Sequence, residues 1–169
     1  GHSERVTKIS LAIAEEMNLD EETKKIISRA GILHDIGKIG LSDDILNKRE
    51  KLTEEEWEMI KNHPEKAFKI LEPLKFLAAE REVILNHHER CDGTGYPKGL
   101  KEARIGREAL ILSVADAFDA MNSKRAYREA LDRVNVISEL LVSRGRHHSA
   151  QIVDVFLRLL DKKPELWER

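Results

Sequence analysis

Two adjacent pairs of potential metal ligands stand out in this chain, His34-Asp35 and His87-His88. Neighbouring residues on a helix diverge by about 100°. Adjacent ligands therefore reach two different cations, or two sides of one. A carboxylate can also bridge: Asp35 could give one oxygen to each metal, an arrangement that holds two cations about 3.5–4 Å apart in hydrolytic sites. The stretch Ile32-Leu33-His34-Asp35-Ile36-Gly37-Lys38 adds an apolar approach, a helix stop and a cation one turn after the histidine, so Lys38 can reach the same spot. Asp116, flanked by Val114, Ala115 and Ala117, would be costly to bury without a cation or several donors. Taken singly, these features also admit plainer readings: an ordinary His-Asp dipeptide at a helix end, and a capped or salt-bridged acid.

Such ligands need elements to position them, and the composition says of what kind. The 169 residues are 41% hydrophobic with nine Gly and four Pro, which suits one core and one domain. Few turn residues and few aromatics, against abundant Glu, Lys, Leu, Ile and Ala, favour an all-α domain over a sandwich or barrel. The 29 Lys and Arg nearly balance 31 Asp and Glu, so a net charge of -2 gives no footing for a nucleic-acid polymer. No apolar stretch approaches the roughly 20 residues of a bilayer span, and no signal peptide is evident; a soluble, cytoplasmic chain is expected. The single cysteine, Cys91, excludes an internal disulfide and a thiolate cluster, leaving His and carboxylates as metal donors.

Apolar spacing predicts one helix through Val6, Ile9, Ile13 and Met17 and a second through Ile26, Ile27, Ala30 and Leu33, ending soon after His34 and Asp35. Thr53 with Glu56 forms a capping box for a short helix through Trp57, Met59 and Ile60. Pro64 opens the next helix, which Pro73 terminates. A helix is expected from Phe76 to Glu89, followed by an irregular loop, Asp92 to Gly99. Arg107 to Ser123 reads as a central helix buried on most sides and carrying Asp116 and Asp119. Val134 to Val142 and Ala150 to Leu160 close the bundle.

The order His2, His34-Asp35-Ile36-Gly37-Lys38, Asn62-His63-Pro64, His87-His88-Glu89-Arg90, Asp92-Gly93-Thr94-Gly95-Tyr96-Pro97 and Val114-Ala115-Asp116-Ala117-Phe118-Asp119-Ala120 closely resembles the HD-GYP family. This is a branch of the HD metal-dependent phosphohydrolases whose characterised members hydrolyse cyclic di-GMP, and the resemblance runs from Gly1 to about Leu160. It implies a compact multi-helix HD-domain bundle with a Gly-Tyr-Pro loop. His2, His34, Asp35 and Asp116 would hold one divalent ion, and Asp35, His63, His87 and His88 a second. Iron or manganese come first, with Zn, Co and Ni as alternatives. A hydroxide bridging the two ions would attack the phosphodiester in line, giving linear dinucleotide and/or GMP. Asp35 and Lys38 would be catalytic, Lys38 also contacting phosphate. The resemblance further places Tyr96, Asp119, Arg125 and Arg128 near the substrate; a structural turn and a solvated helix end are their plainer readings. Family members are commonly output domains behind sensor or receiver modules, and many form homodimers.

The chain departs from the family in a few places. Members with three metals carry a Glu four residues before the first histidine, and here the chain begins one residue before His2, as a fragment cut at the domain edge would. His2 is accordingly expected at a frayed terminus. Cys91 stands where Trp or Tyr is usual, and the usual Phe-Asp-Pro is replaced around His148-Ser149-Ala150. His147-His148 matches no family ligand and reads as a surface pair. Three alternatives compete with cyclic di-GMP hydrolysis: an HD hydrolase for another cyclic dinucleotide, a non-catalytic receptor that has lost ligands, and a purely structural helical module.

Overall fold

The structure, a computed structural model, describes residues 1–48, 50–124 and 129–168. Its elements are α1 (His2–Glu16), α2 (Glu21–Leu33), α3 (Asp43–Leu46), α4 (Glu54–Lys61), α5 (His63–Ile70), α6 (Ala78–Asn86), α7 (Arg107–Asn122), α8 (Arg133–Ser143) and α9 (Ala150–Lys162). The described residues contain no strand, only the isolated bridges Asp92–Lys101 and Arg144–His148. No helix among them is long and apolar enough to cross a membrane.

Local chemistry sets most of the boundaries. Asp20 caps α2 by accepting the Thr23 N–H at 2.9 Å. Thr53 and Glu56 close the capping box of α4 with reciprocal bonds of 3.2 and 2.8 Å. Helix α7 is the centre of the bundle: it buries Ala109, Leu110, Ile111, Leu112, Val114, Ala115 and Phe118, and α1, α2, α6, α8 and α9 all pack on it. Phe118 meets Phe156 of α9 edge to face at 4.9 Å, and Trp167 at 5.1 Å.

Three expectations need correction. The helix expected over Phe76–Glu89 is shorter: Lys75–Leu77 forms a 3₁₀ turn, α6 runs only from Ala78 to Asn86, and His87 is its C-cap. His2 is not frayed. It lies in the first turn of α1 with Nδ1 2.7 Å from Asp119 of α7. Nor are both members of His147-His148 surface groups: the turn before α9 folds His148 inward to within 3.3 Å of the Ser113 hydroxyl, while His147 stays only partly covered. Burial, then the charges of His147 and Arg90, push the His148 pKa down to about 4.

Candidate metal centre

Three buried imidazoles share one device. His34 is the C-cap of α2, His87 the C-cap of α6, and His63 follows directly on the end of α4. In each, Nδ1 lies 2.6–2.8 Å from the carbonyl three residues back: Gly31, Ile60 and Ile84 respectively. The last carbonyls of a helix lack intrahelical donors. A carbonyl can only accept, so Nδ1 carries the proton and Nε2 keeps its lone pair. All three Nε2 atoms are buried with no hydrogen-bond partner. Unpaired buried acceptors are costly, and a cation is the partner they suit.

These lone pairs gather with the other candidates in three overlapping groups. His2, His34 and Asp116 bring ligand atoms within 4.8 Å of one another, so do His63, His87 and His88, and His34, Asp35 and His87 form a third group that joins the first two. Asp35 lies between the first two: Oδ1 is 3.6 Å from Nε2 of both His34 and His63, and Oδ2 is 3.8 Å from Nε2 of His2. Lys38 donates to Asp35 Oδ2 at 2.8 Å from the 3₁₀ turn Ile36–Lys38. Glycine is required in that turn. A Cβ on Gly37 would sit 1.9 Å from the His63 carbonyl oxygen and 2.7 Å from the Ala67 nitrogen, so main chain packs against main chain here.

The electrostatics divide the imidazoles by role. Burial, and then the neighbouring imidazoles His88, His34 and His63, hold His87 well below its ordinary pKa. Burial brings His88 down to about 4 and also lowers His63. These rings are thus neutral near pH 7, as metal ligands must be. His2 differs in the metal-free chain: the hydrogen bonds it donates to Asp116 and Asp119 raise it to about 9. Burial disfavours the Asp116 carboxylate, yet His2 and the surrounding imidazoles hold its pKa well below the usual range. Burial likewise opposes the Asp35 carboxylate, and His34 and Lys38 outweigh it to leave its pKa lowered.

Of the expected substrate contacts, Lys38 lines a cleft of about 820 Å³ together with His2, Asp35, Trp57, Asp119 and Lys124. Asp119 is spoken for: its oxygens take His2 Nδ1 at 2.7 Å and the Arg5 guanidinium at 2.6 and 3.1 Å. That makes it an anchor for His2. Tyr96 packs on His88, with centroids 4.9 Å apart and planes tilted by 31°. Arg125 and Arg128 lie outside the described residues.

Sequence reasoning missed the contacts of Arg5 and Glu89. Arg5 lies one turn after His2, and its partner is 114 residues away. Glu89 is 1% exposed and accepts the backbone N–H groups of Lys98 at 2.6 Å and Leu100 at 2.8 Å, pinning the Gly-Tyr-Pro loop. The loop lies so close that a Cβ on Gly95 would be 2.3 Å from the Arg90 nitrogen and 2.5 Å from the His88 oxygen.

Residues 1–150 match the family model for the HD domain. The chain belongs to the HD domain family. Within it, this HD domain is 43% identical to a cyclic di-GMP phosphodiesterase of Thermotoga maritima, over 99% of this chain and 46% of that protein. It is 33% identical to 3'3'-cGAMP-specific phosphodiesterase 2 of Vibrio cholerae, over 95% of this chain and 31% of that protein. The chain thus spans less than half the length of these relatives. A solved HDG"Y"P protein from Bdellovibrio bacteriovorus shares the fold at TM-score 0.78 and 22% identity, over 95% of this chain and 51% of that one. The HD-GYP resemblance of the motifs agrees with these matches.

Proposed function

We propose that this HD domain hydrolyses a phosphodiester bond of a cyclic dinucleotide, cyclic di-GMP first, to linear dinucleotide and/or GMP. The observation that carries the reading is the pair of three-donor groups on either side of Asp35. His2, His34, Asp35 and Asp116 would hold one divalent ion, and Asp35, His63, His87 and His88 the other. When bound, such ions supply Lewis acidity and lower the pKa of water toward neutrality. The donors are all nitrogen and oxygen; Cys91 is 8% exposed, and burial pushes its thiol up to about 11. That set suits iron or manganese.

The chain's own side chains do the rest. Lys38, one-third exposed at the cleft, is placed to meet a non-bridging phosphate oxygen and offset the charge that develops on it. Asp119 and Arg5 hold the His2 ring so that Nε2 faces Asp116, 3.3 Å away. A receptor without activity would be expected to have lost ligands, and every expected ligand is present. A homodimer and an upstream sensor or receiver module in a longer parent belong to the same proposal.

The test is anaerobic purification with metal analysis, followed by turnover of cyclic di-GMP and 3'3'-cGAMP by the wild type and Asp35→Ala. About two ions per chain and turnover lost in the variant are expected. If Asp35→Ala keeps both ions and full turnover, the bridging role is wrong.

A further inference from the structure

Trp57 sets a large ring in the wall of the cleft. Helix α4 buries none of its residues, and the Trp57 side chain lines the cleft with the residue 44% exposed. The other tryptophan, Trp167, is 8% exposed and packs on Phe118, as an indole serving stability does. Ligand clefts are lined mainly by apolar and aromatic side chains with a few placed polar groups, and Trp57 gives this cleft its aromatic surface. The ring is also held. Tyr96 meets it at 6.4 Å with planes at 79°, and Tyr96 itself lies on His88. Edge-to-face contacts of this kind fix ring orientation. The sequence His88, Tyr96, Trp57 therefore runs as one set of touching rings from a donor group to the cleft wall. Lys38 and Lys51 line the same cleft, so a flat apolar surface and cationic groups stand within one ligand's reach. Base plus phosphate is the chemistry that needs both.

Resting on the reading of this cleft as a cyclic dinucleotide site, we propose that Trp57 is the platform on which a purine base of the substrate stacks. Every purine offers a π-face, so the contact adds affinity without distinguishing guanine from adenine. The choice of dinucleotide must be made by other groups.

The experiment compares metal-loaded wild type with Trp57→Leu and Trp57→Phe on cyclic di-GMP and 3'3'-cGAMP. Trp57→Leu should raise KM for both about tenfold, with kcat within about twofold, and Trp57→Phe should restore most of the loss. In parallel, cyclic di-GMP should quench wild-type indole fluorescence, and the quench should vanish in Trp57→Phe although ligand still binds. A Leu variant with unchanged KM, or one that loses kcat alone, overturns the proposal. A wild type that hydrolyses neither dinucleotide refutes the reaction proposed above; quenching of Trp57 by cyclic di-GMP then still decides the stacking contact, and its absence refutes that contact.

Discussion

His87→Leu separates a ligand from a packing residue. His87 is fully buried, its Nδ1–H donates to the Ile84 carbonyl at 2.6 Å, and its Nε2 has no partner. An orphaned buried acceptor costs about 1–3 kcal/mol, while the hydrogen bond contributes about 1 kcal/mol. Leucine removes both, so metal-free stability should stay within about 1 kcal/mol of wild type, or about 2–4 °C in Tm for a domain of this size. Metal changes the comparison. An ion at 100 times its Kd stabilises by about 2.7 kcal/mol per site, which raises Tm by about 5–11 °C. His87→Leu should forfeit the share belonging to the His63, His87 and His88 group and keep the other. Calorimetry in EDTA and in Mn²⁺, with bound metal counted by mass spectrometry, reads both effects. A variant that unfolds more than about 8 °C below wild type in EDTA, yet keeps the full Mn²⁺ shift, would refute the assignment.

Asp119→Ala releases both His2 and Arg5, and metal affinity at the His2 group should fall about 10–100-fold in a competing-chelator titration; an unchanged affinity would reduce Asp119 to a packing role. Glu89→Gln sets an amide N–H₂ against one of two backbone N–H groups, at a cost of about 1–3 kcal/mol, and Tm should drop by about 2–12 °C. No change would mean that the Gly-Tyr-Pro loop holds itself. The His148 pKa is about 4 when folded against 6.5 unfolded, so between those values the unfolded chain takes up a proton that the folded chain refuses. Metal-free stability should therefore fall as pH drops from 6.5 towards 4, by roughly 3 kcal/mol from this group at about 1.4 kcal/mol per pH unit. His148→Gln should be flatter over that window in urea titrations, and an equal slope would contradict the burial argument.

The helical class and most helices were legible because their apolar periodicity survives in the fold, as in α7, where Ala109 to Ala115 signal burial on most sides. The convergence of His34, Asp35, His87 and His88 in one place was legible because adjacency and resemblance mark them directly. What escaped depends on contacts far along the chain. Nothing near Arg5 announces an aspartate 114 residues away. Nothing near His148 says that the turn before α9 will press it against Ser113 of α7. The end of α6 escaped for a different reason: helix-forming residues continue past it, and His87 as C-cap still has αR dihedrals, so propensity does not mark the boundary. Trp57 was legible only as part of the spacing of a short helix, and its place on the cleft wall depends on how α4 packs.

The glycine at position 37 works as a caliper. It lets the stretch of chain bearing Asp35 lie flush against the backbone bearing His63, so peptide units meet there with no side chain between them. Exchanging a histidine for a carboxylate could then change which ion is preferred while leaving the spacing alone. A single methyl at Gly37 would do the reverse, keeping all seven donors in the sequence and prying the two halves of the centre apart. Anyone transplanting this donor set to another helical scaffold must copy the glycine contact along with the ligands.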